Sequence, residues 1–212
     1  MNRIEKIYDY SPILIQNMMV SLSGYLRNKN RYGKIYYQHR KFLVEFDKWN
    51  IDKKLEFQGN ELVNFINYAN NNTTFYKKLY ANLDVSNIRT LDDLKKLPVV
   101  NKELLRQNIM DATSTEKKRR EEWHTGGTTG KSLVVYGHAD DMMKRMALLD
   151  HFKSRVGFEH RKMKRATFNG KHIIPPHQKS SIFWRYNKAS KQMIYSSFHL
   201  SEENMSKPCV KR

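Results

Sequence analysis

Residues 121–137 read EEWHTGGTTGKSLVVYG, and Thr125, Gly126, Gly127, Thr128, Thr129, Gly130 and Lys131 follow one another without interruption. Glycines free the backbone so that several N–H groups can converge, threonines add hydroxyl donors, and a lysine supplies a positive charge. Together these are the means of holding a phosphate chain. A Walker A loop is written G-x-x-x-x-G-K-[ST], follows a buried strand and opens a helix. Gly130, Lys131 and Ser132 fit its last three places, but Thr125 stands where its first glycine belongs. The flanks are also reversed. KKRREEWH before the loop is too charged for a central strand, and LVVY after it is a strand former. The reading is a phosphate loop of another kind, running into a strand and able to move when pyrophosphate leaves. An ordinary flexible turn is the competing reading.

Other groups that could do chemistry are scattered. His124 adjoins the loop and His199, within SSFHLS, is a candidate pocket-lining residue; no pair of histidines makes a convincing i, i+4 set. Glu121 with Glu122 and Asp140 with Asp141 are adjacent pairs, which do not face one another on a helix, so they read as turn and helix-start residues. KKRR (117–120) and HRKMKR (160–165) can grip phosphate or nucleic acid, or be a solvated loop and the entry to a strand. Phe183, Trp184 and Arg185 fit a pocket wall and an aromatic anchor equally. Cys209 is alone, which excludes an internal disulfide, and no Cys/His spacing suits zinc, so no protein-ligated metal is expected.

The first half reads as a chain of short helices. Residues 11–50 look helical with RNKNRYGK (27–34) as a polar turn. Leu62, Phe65, Ile66 and Ala69 recur at helical spacing, a shorter helix follows from Thr74 with Phe75, Leu79 and Leu83 on one side, and Asn101 offers an N-cap. Thr90 to Asp93 forms a capping-box pattern ahead of Pro98. Beyond Trp123 the pattern changes: SLVVYG reads as a strand, ADDMMKRMALLDHFKSRV as a helix with Met142, Met146, Leu149 and Val156 on one stripe, and MKRATFNG and QMIYSSF as strands. The expectation is an α/β fold, with residues 1–122 mainly helical and 123–212 carrying the loop and the start of a mixed sheet, both parts of one incomplete domain.

The charge is +18, from 39 basic and 21 acidic residues, and it is uneven. Residues 151–212 carry 14 basic against 3 acidic, whereas 61–150 carry 14 against 12. Charge alone suggests a nucleic-acid binder, but no recognition helix, zinc spacing or aromatic RNP run accompanies it, so a nucleic-acid partner is disfavoured. SPILIQNMMVSLSGYL is apolar, yet Gln16 and Asn17 interrupt it and it is shorter than the roughly 20 residues of a span. It reads as an amphipathic or buried helix of a cytoplasmic protein.

TGGTTGK followed by a short strand resembles the signature loop of the adenylate-forming enzymes. SPILIQNMMVSLSGYLRNKNRYG, LVNFINYANNNTTFYKKLY, LKKLPVVNKELLRQN and FWRYNKASKQMIYSSFHLSEEN, in that order around the loop, are similar to the N-terminal half of the phenylacetate–coenzyme A ligase-like family, in its branch linked to capsular polysaccharide biosynthesis. The resemblance implies that Thr125 through Lys131 hold the phosphates of ATP, with Thr128 and Thr129 the foremost side-chain donors and Lys131 an accessory cation. It implies Mg²⁺ with the phosphates and a small-molecule carboxylate substrate. The acid would attack the α-phosphorus to give an acyl-adenylate and pyrophosphate, before transfer to a thiol such as coenzyme A, an amine or a hydroxyl.

The family's later motifs, an aromatic-Gly and acidic segment, a ribose-binding aspartate and a late lysine, have no counterpart here. Ser201, Glu202 and Glu203 also open a helix that SKPCVKR ends at once. The expectation is an N-terminal piece of a ligase that works with a missing C-terminal half, or an inactive remnant serving as a partner subunit. An unpaired sheet edge and an exposed core face would follow.

Overall fold

A computed structural model describes residues 3–116, 120–125, 132–170, 172–175, 177–178, 181–199 and 201–202. The chain divides into two compact units, one formed by Met1–Tyr37 with Arg145–Arg212 and the other by Gln38–Lys144. The helices are α1 (Arg3–Tyr10), α2 (Ile13–Arg31), α3 (Lys34–Asp47), α4 (Ile51–Asn72), α5 (Thr74–Leu79), α6 (Lys102–Gln107) and α7 (Ala139–Ser154). The strands are β1 (Glu121–His124), β2 (Val134–Gly137), β3 (Arg165–Asn169), β4 (Trp184–Asn187) and β5 (Gln192–Ser196). The architecture is mixed α/β, rich in helix and with two small sheets, one ordered β1-β2 and the other β3-β5-β4. Among the described residues no helix is long and apolar enough to cross a membrane.

In the unit formed by residues 38–144, helix boundaries follow local chemistry. Asn50 and Asn101 cap α4 and α6, accepting the N–H of Lys53 at 3.0 Å and of Leu104 at 2.8 Å. Thr73 ends α4 and starts α5, its Oγ1 donating to the Ala69 carbonyl at 2.8 Å and accepting the Tyr76 N–H at 3.1 Å. Thr90 and Asp93 do bond to each other, the carboxylate accepting the Thr90 N–H and Oγ1–H at 2.8 Å each. The turn they begin, Leu91–Lys96, is a 3₁₀ helix. Lys96 beside Asp93, with the N–H groups of Arg89 and Thr90, holds that carboxyl well below the usual carboxylate range. The core is Ile66, Tyr80 and Ile88 with Leu62, Leu79 and Leu97 against them. Two expected members are elsewhere: Phe65 falls at the edge of the α4 stripe and is 70% exposed, and Leu83 lies past the end of α5.

In the other unit, β5 is the central strand, parallel to β3 and antiparallel to β4. β3 and β5 match the expected strands. β4 adds a third, in which Arg185 pairs with Ile194 and Tyr186 with Met193. Its outer edge is covered by side chains of α2. Asn17 Oδ1 accepts the Tyr186 N–H at 2.8 Å, and Ser21 Oγ donates to the Tyr186 carbonyl at 3.3 Å and accepts the Lys188 N–H at 3.0 Å. Two turns on, Asn28 donates to the Ala189 carbonyl at 3.2 Å. The exposed edge of a strand needs partners, and here a helix supplies them from polar residues four and seven apart along one face. The opposite side of α2 carries Leu14, Met18, Leu22 and Tyr25, all at least 60% exposed.

Arg185 is fully buried and pairs with neutral groups: Gln16, Gln178 and the carbonyls of Ile182 and Trp184. Burial pulls its pKa down, with Tyr8 acting in the other direction. Gln16, which interrupts the apolar N-terminal run in sequence, is itself only 2% exposed.

The stripe expected on α7 is corrected. Leu149 is 44% exposed and Val156, beyond the helix end, is 83% exposed; Ala147, Asp150 and His151 are buried instead. The physical reason is a polar interior. Asp150 accepts from the Tyr36 hydroxyl at 3.2 Å and stands near Lys153. His160 stacks on Tyr32 at 4.6 Å. Burial pushes the Tyr32 phenol up to about 12 and His160 down to about 4, so both are neutral at pH 7.

Replacing Gln16 with leucine removes an acceptor from a buried guanidinium, and an unsatisfied charged donor costs on the order of 3 kcal/mol. Thermal unfolding should show Gln16→Leu well below the parent, while Ser23→Ala, at an exposed position of the same helix, stays within about 0.5 kcal/mol of it.

Candidate functional site

The glycine–threonine segment lies in the sequence between two paired strands. β1 and β2 pair antiparallel, with Trp123 opposite Val135 and His124 opposite Val134. Sequence reading missed β1 because EEWH looks too charged for a strand. In a two-stranded hairpin the alternation half-buries Glu121 and Trp123 and exposes Glu122 and His124, so the charges face solvent. Trp123 lies across Gly137, where a Cβ would collide with the indole ring. β2 then leads directly into α7, whose first turn is closed by Asp141 accepting the His138 N–H at 3.0 Å.

Three hydrogen bonds close the neck. Thr125 N–H donates to the Leu133 carbonyl at 3.0 Å, Leu133 N–H donates to Thr125 Oγ1 at 3.0 Å, and Ser132 Oγ donates to the Thr125 carbonyl at 2.8 Å. Leu133 is 8% exposed and anchors the returning chain. The six residues between these anchors, Gly126, Gly127, Thr128, Thr129, Gly130 and Lys131, lie outside the described residues. The neck fixes where that segment leaves and re-enters the sheet. A strand precedes it and a strand follows it, so the exit differs from the helix of a Walker A loop. Thr125 has a definite local role: its hydroxyl oxygen is engaged with the Leu133 amide.

The remaining candidates separate. His124 Nε2 is 2.8 Å from Glu122 Oε1, two residues back on the same face of β1, with both side chains more than half exposed. His199 stacks on Phe183 at 5.1 Å and lies 2.8 Å from Ser196 Oγ. Arg185, two residues from Phe183, is instead the buried group held by Gln16. The basic stretch 117–119 and the helix start at Glu203 lie outside the described residues. Lys162 is paired with Glu159, and Arg165 bonds to Gln192 at 3.1 Å at the first register position of β3. That stretch therefore serves as a turn and a strand entry.

Sequence reasoning did not find the polar stripe of α2 or the pair formed by Asp9 and His172, whose Nε2 is 3.2 Å from the Asp9 carboxylate. The stripe had a signal, since Asn17, Ser21 and Asn28 interrupt an apolar helix at near-helical intervals. The Asp9–His172 pair had none, being separated by 163 positions. Among the described residues no group of three His, Cys, Asp or Glu is placed to hold a metal ion.

Thr125→Val keeps the shape of the side chain and removes the acceptor of the Leu133 N–H. We expect a loss of about 1 kcal/mol in unfolding free energy and faster hydrogen exchange at the Leu133 amide. Unchanged exchange there would show that the neck does not depend on this hydroxyl.

No known protein-family profile matches the chain. It is 36% identical over 200 residues to Protein CapK of Staphylococcus aureus, an alignment that covers 94% of this chain and 43% of that protein. The chain therefore spans less than half the length of that relative.

Proposed function

We propose that this chain supplies the ATP-phosphate-binding part of an AMP-forming carboxylate ligase acting in capsular or surface polysaccharide biosynthesis. The observation that carries the reading is the hairpin with its hydrogen-bonded neck at Thr125, Ser132 and Leu133. Such a neck holds together the two ends between which the six Gly/Thr/Lys residues run in sequence. The similarity to Protein CapK along 94% of the chain supports placing the activity in capsule biosynthesis.

In this reading the backbone N–H groups around Gly126, Gly127 and Gly130 and the hydroxyls of Thr128 and Thr129 donate to the β- and γ-phosphates, while Lys131 offsets their charge. ATP brings Mg²⁺ with it. A substrate carboxylate attacks the α-phosphorus, the bond to the bridging oxygen breaks, and pyrophosphate leaves with an acyl-adenylate remaining. The acceptor, a thiol such as coenzyme A, an amine or a hydroxyl, then takes the acyl group. The chain's own contribution is positioning and charge neutralisation.

ATP binding measured by calorimetry tests this. The chain should bind ATP, and Lys131→Ala and Thr129→Ala should each weaken binding about tenfold, the loss of about 1.4 kcal/mol. Equal affinity in both variants, or no binding by the parent chain, contradicts the assignment.

A further inference from the structure

Between α1, the middle of α2 and the β3-β5-β4 sheet lies a cavity of about 350 Å³, within the usual size range of small-ligand sites. Met19, Val20 and Ile194 give it an apolar wall, and its charged groups are unevenly divided. Two carboxylates line it, Glu5 and Asp9, against one guanidinium, Arg27. Glu5 and Asp9 stand one turn apart on the same face of α1, and like charges at that spacing oppose each other.

Asp9 is the group that the fold leaves incomplete. It is 5% exposed, and its Oδ1 lies 3.2 Å from Nε2 of the half-exposed His172. An ionised carboxylate has no proton to give, so Nε2 is the donor in this contact. Oδ2 accepts no hydrogen bond among the described residues, yet it is not sealed within the packing. A carboxylate taken almost wholly out of water is costly unless donors surround it, and one imidazole N–H meets only one of its two oxygens. Arg27 does not fill the gap, since it is exposed on α2 and donates to Ser23 Oγ at 3.0 Å.

We infer that this cavity binds a small primary amine with an apolar body: the ammonium donates to Asp9 Oδ2 and pairs with Glu5, and the body lies along Met19, Val20 and Ile194. An ammonium brings three donors and one positive charge, so it offers charge-assisted bonds to both carboxylates. Glu5, Asp9 and His172 are not placed together to hold a metal ion, so the site fits an organic cation rather than a bare one. Arg27 at the mouth disfavours a second positive end, which sets a monoamine apart from a diamine. The inference does not rest on the ATP reading, because every wall residue belongs to the unit that lacks residues 121–137.

Calorimetric titration of the full chain, in an amine-free buffer, with hexylamine hydrochloride, 1-hexanol, sodium hexanoate and 1,6-diaminohexane tests it. Hexylamine should bind saturably and at least about tenfold more tightly than any of the other three. Asp9→Asn should weaken it about tenfold and Glu5→Gln about threefold. Arg27→Ala removes the opposing charge, so it should leave hexylamine binding as tight or tighter, the reverse of what an anion site would show. Glu5 and Arg27 are exposed, so their variants should keep the parent melting temperature and report on the site even where Asp9→Asn loosens the fold. No saturable hexylamine binding, equal binding of hexanol, hexanoate or the diamine, unchanged affinity in both carboxylate variants, or weaker binding by Arg27→Ala overturns the assignment.

Discussion

An edge strand buried against a helix must find partners for its outward-facing amides, and in this protein the helix itself provides them. Asn17 and Ser21 complete the hydrogen bonding of Tyr186, and Ser21 and Asn28 continue the contact into the turn after β4. Each such bond adds only about 1 kcal/mol, but each unmet group would cost more. The requirement therefore dictates the orientation of α2. Its polar stripe must face the sheet, so its leucines and Met18 face outward. Arg185 extends the same logic, since a fully buried guanidinium is tolerable only because Gln16, Gln178 and two carbonyls surround it.

The second unit places its chemistry differently. There a hydrogen-bonded neck, rather than a helix N-terminus, defines where a phosphate-binding segment would sit. A Walker A loop draws on a helix dipole and four free N–H groups. In the proposed reading, affinity for a triphosphate would come from glycine N–H groups, threonine hydroxyls and Lys131. That composition is what residues 125–131 possess.

Much of the local structure was legible in the sequence because it depends on short-range signals. The N-cap at Asn101, the Thr90–Asp93 pair, the strand after the loop and the helix after it are all written within a few residues of where they occur. The failures involve distance. β1 was hidden by its charge and becomes a strand only because β2 pairs with it. The α7 stripe was read from methionines and leucines, whereas the buried line contains Asp150 and His151, whose surroundings include Tyr36 on another helix. The polar stripe of α2 looked like an interruption until β4, some 165 residues later, supplied its partner. Of the candidate loop, its ends at Thr125 and Ser132 can be placed, and its chemistry between them remains a sequence reading. Leu14, Met18, Leu22 and Tyr25 on α2 are exposed, and the outer edge of β4 is covered by the same helix.

The most direct test of the functional account is hydrogen exchange of the whole chain with and without ATP and Mg²⁺, read residue by residue. The account predicts that nucleotide slows exchange at the amides of residues 126–131, with Leu133 at the neck already protected in both states. Unchanged exchange across residues 125–133 at a saturating nucleotide concentration would contradict it, whatever happened elsewhere in the chain.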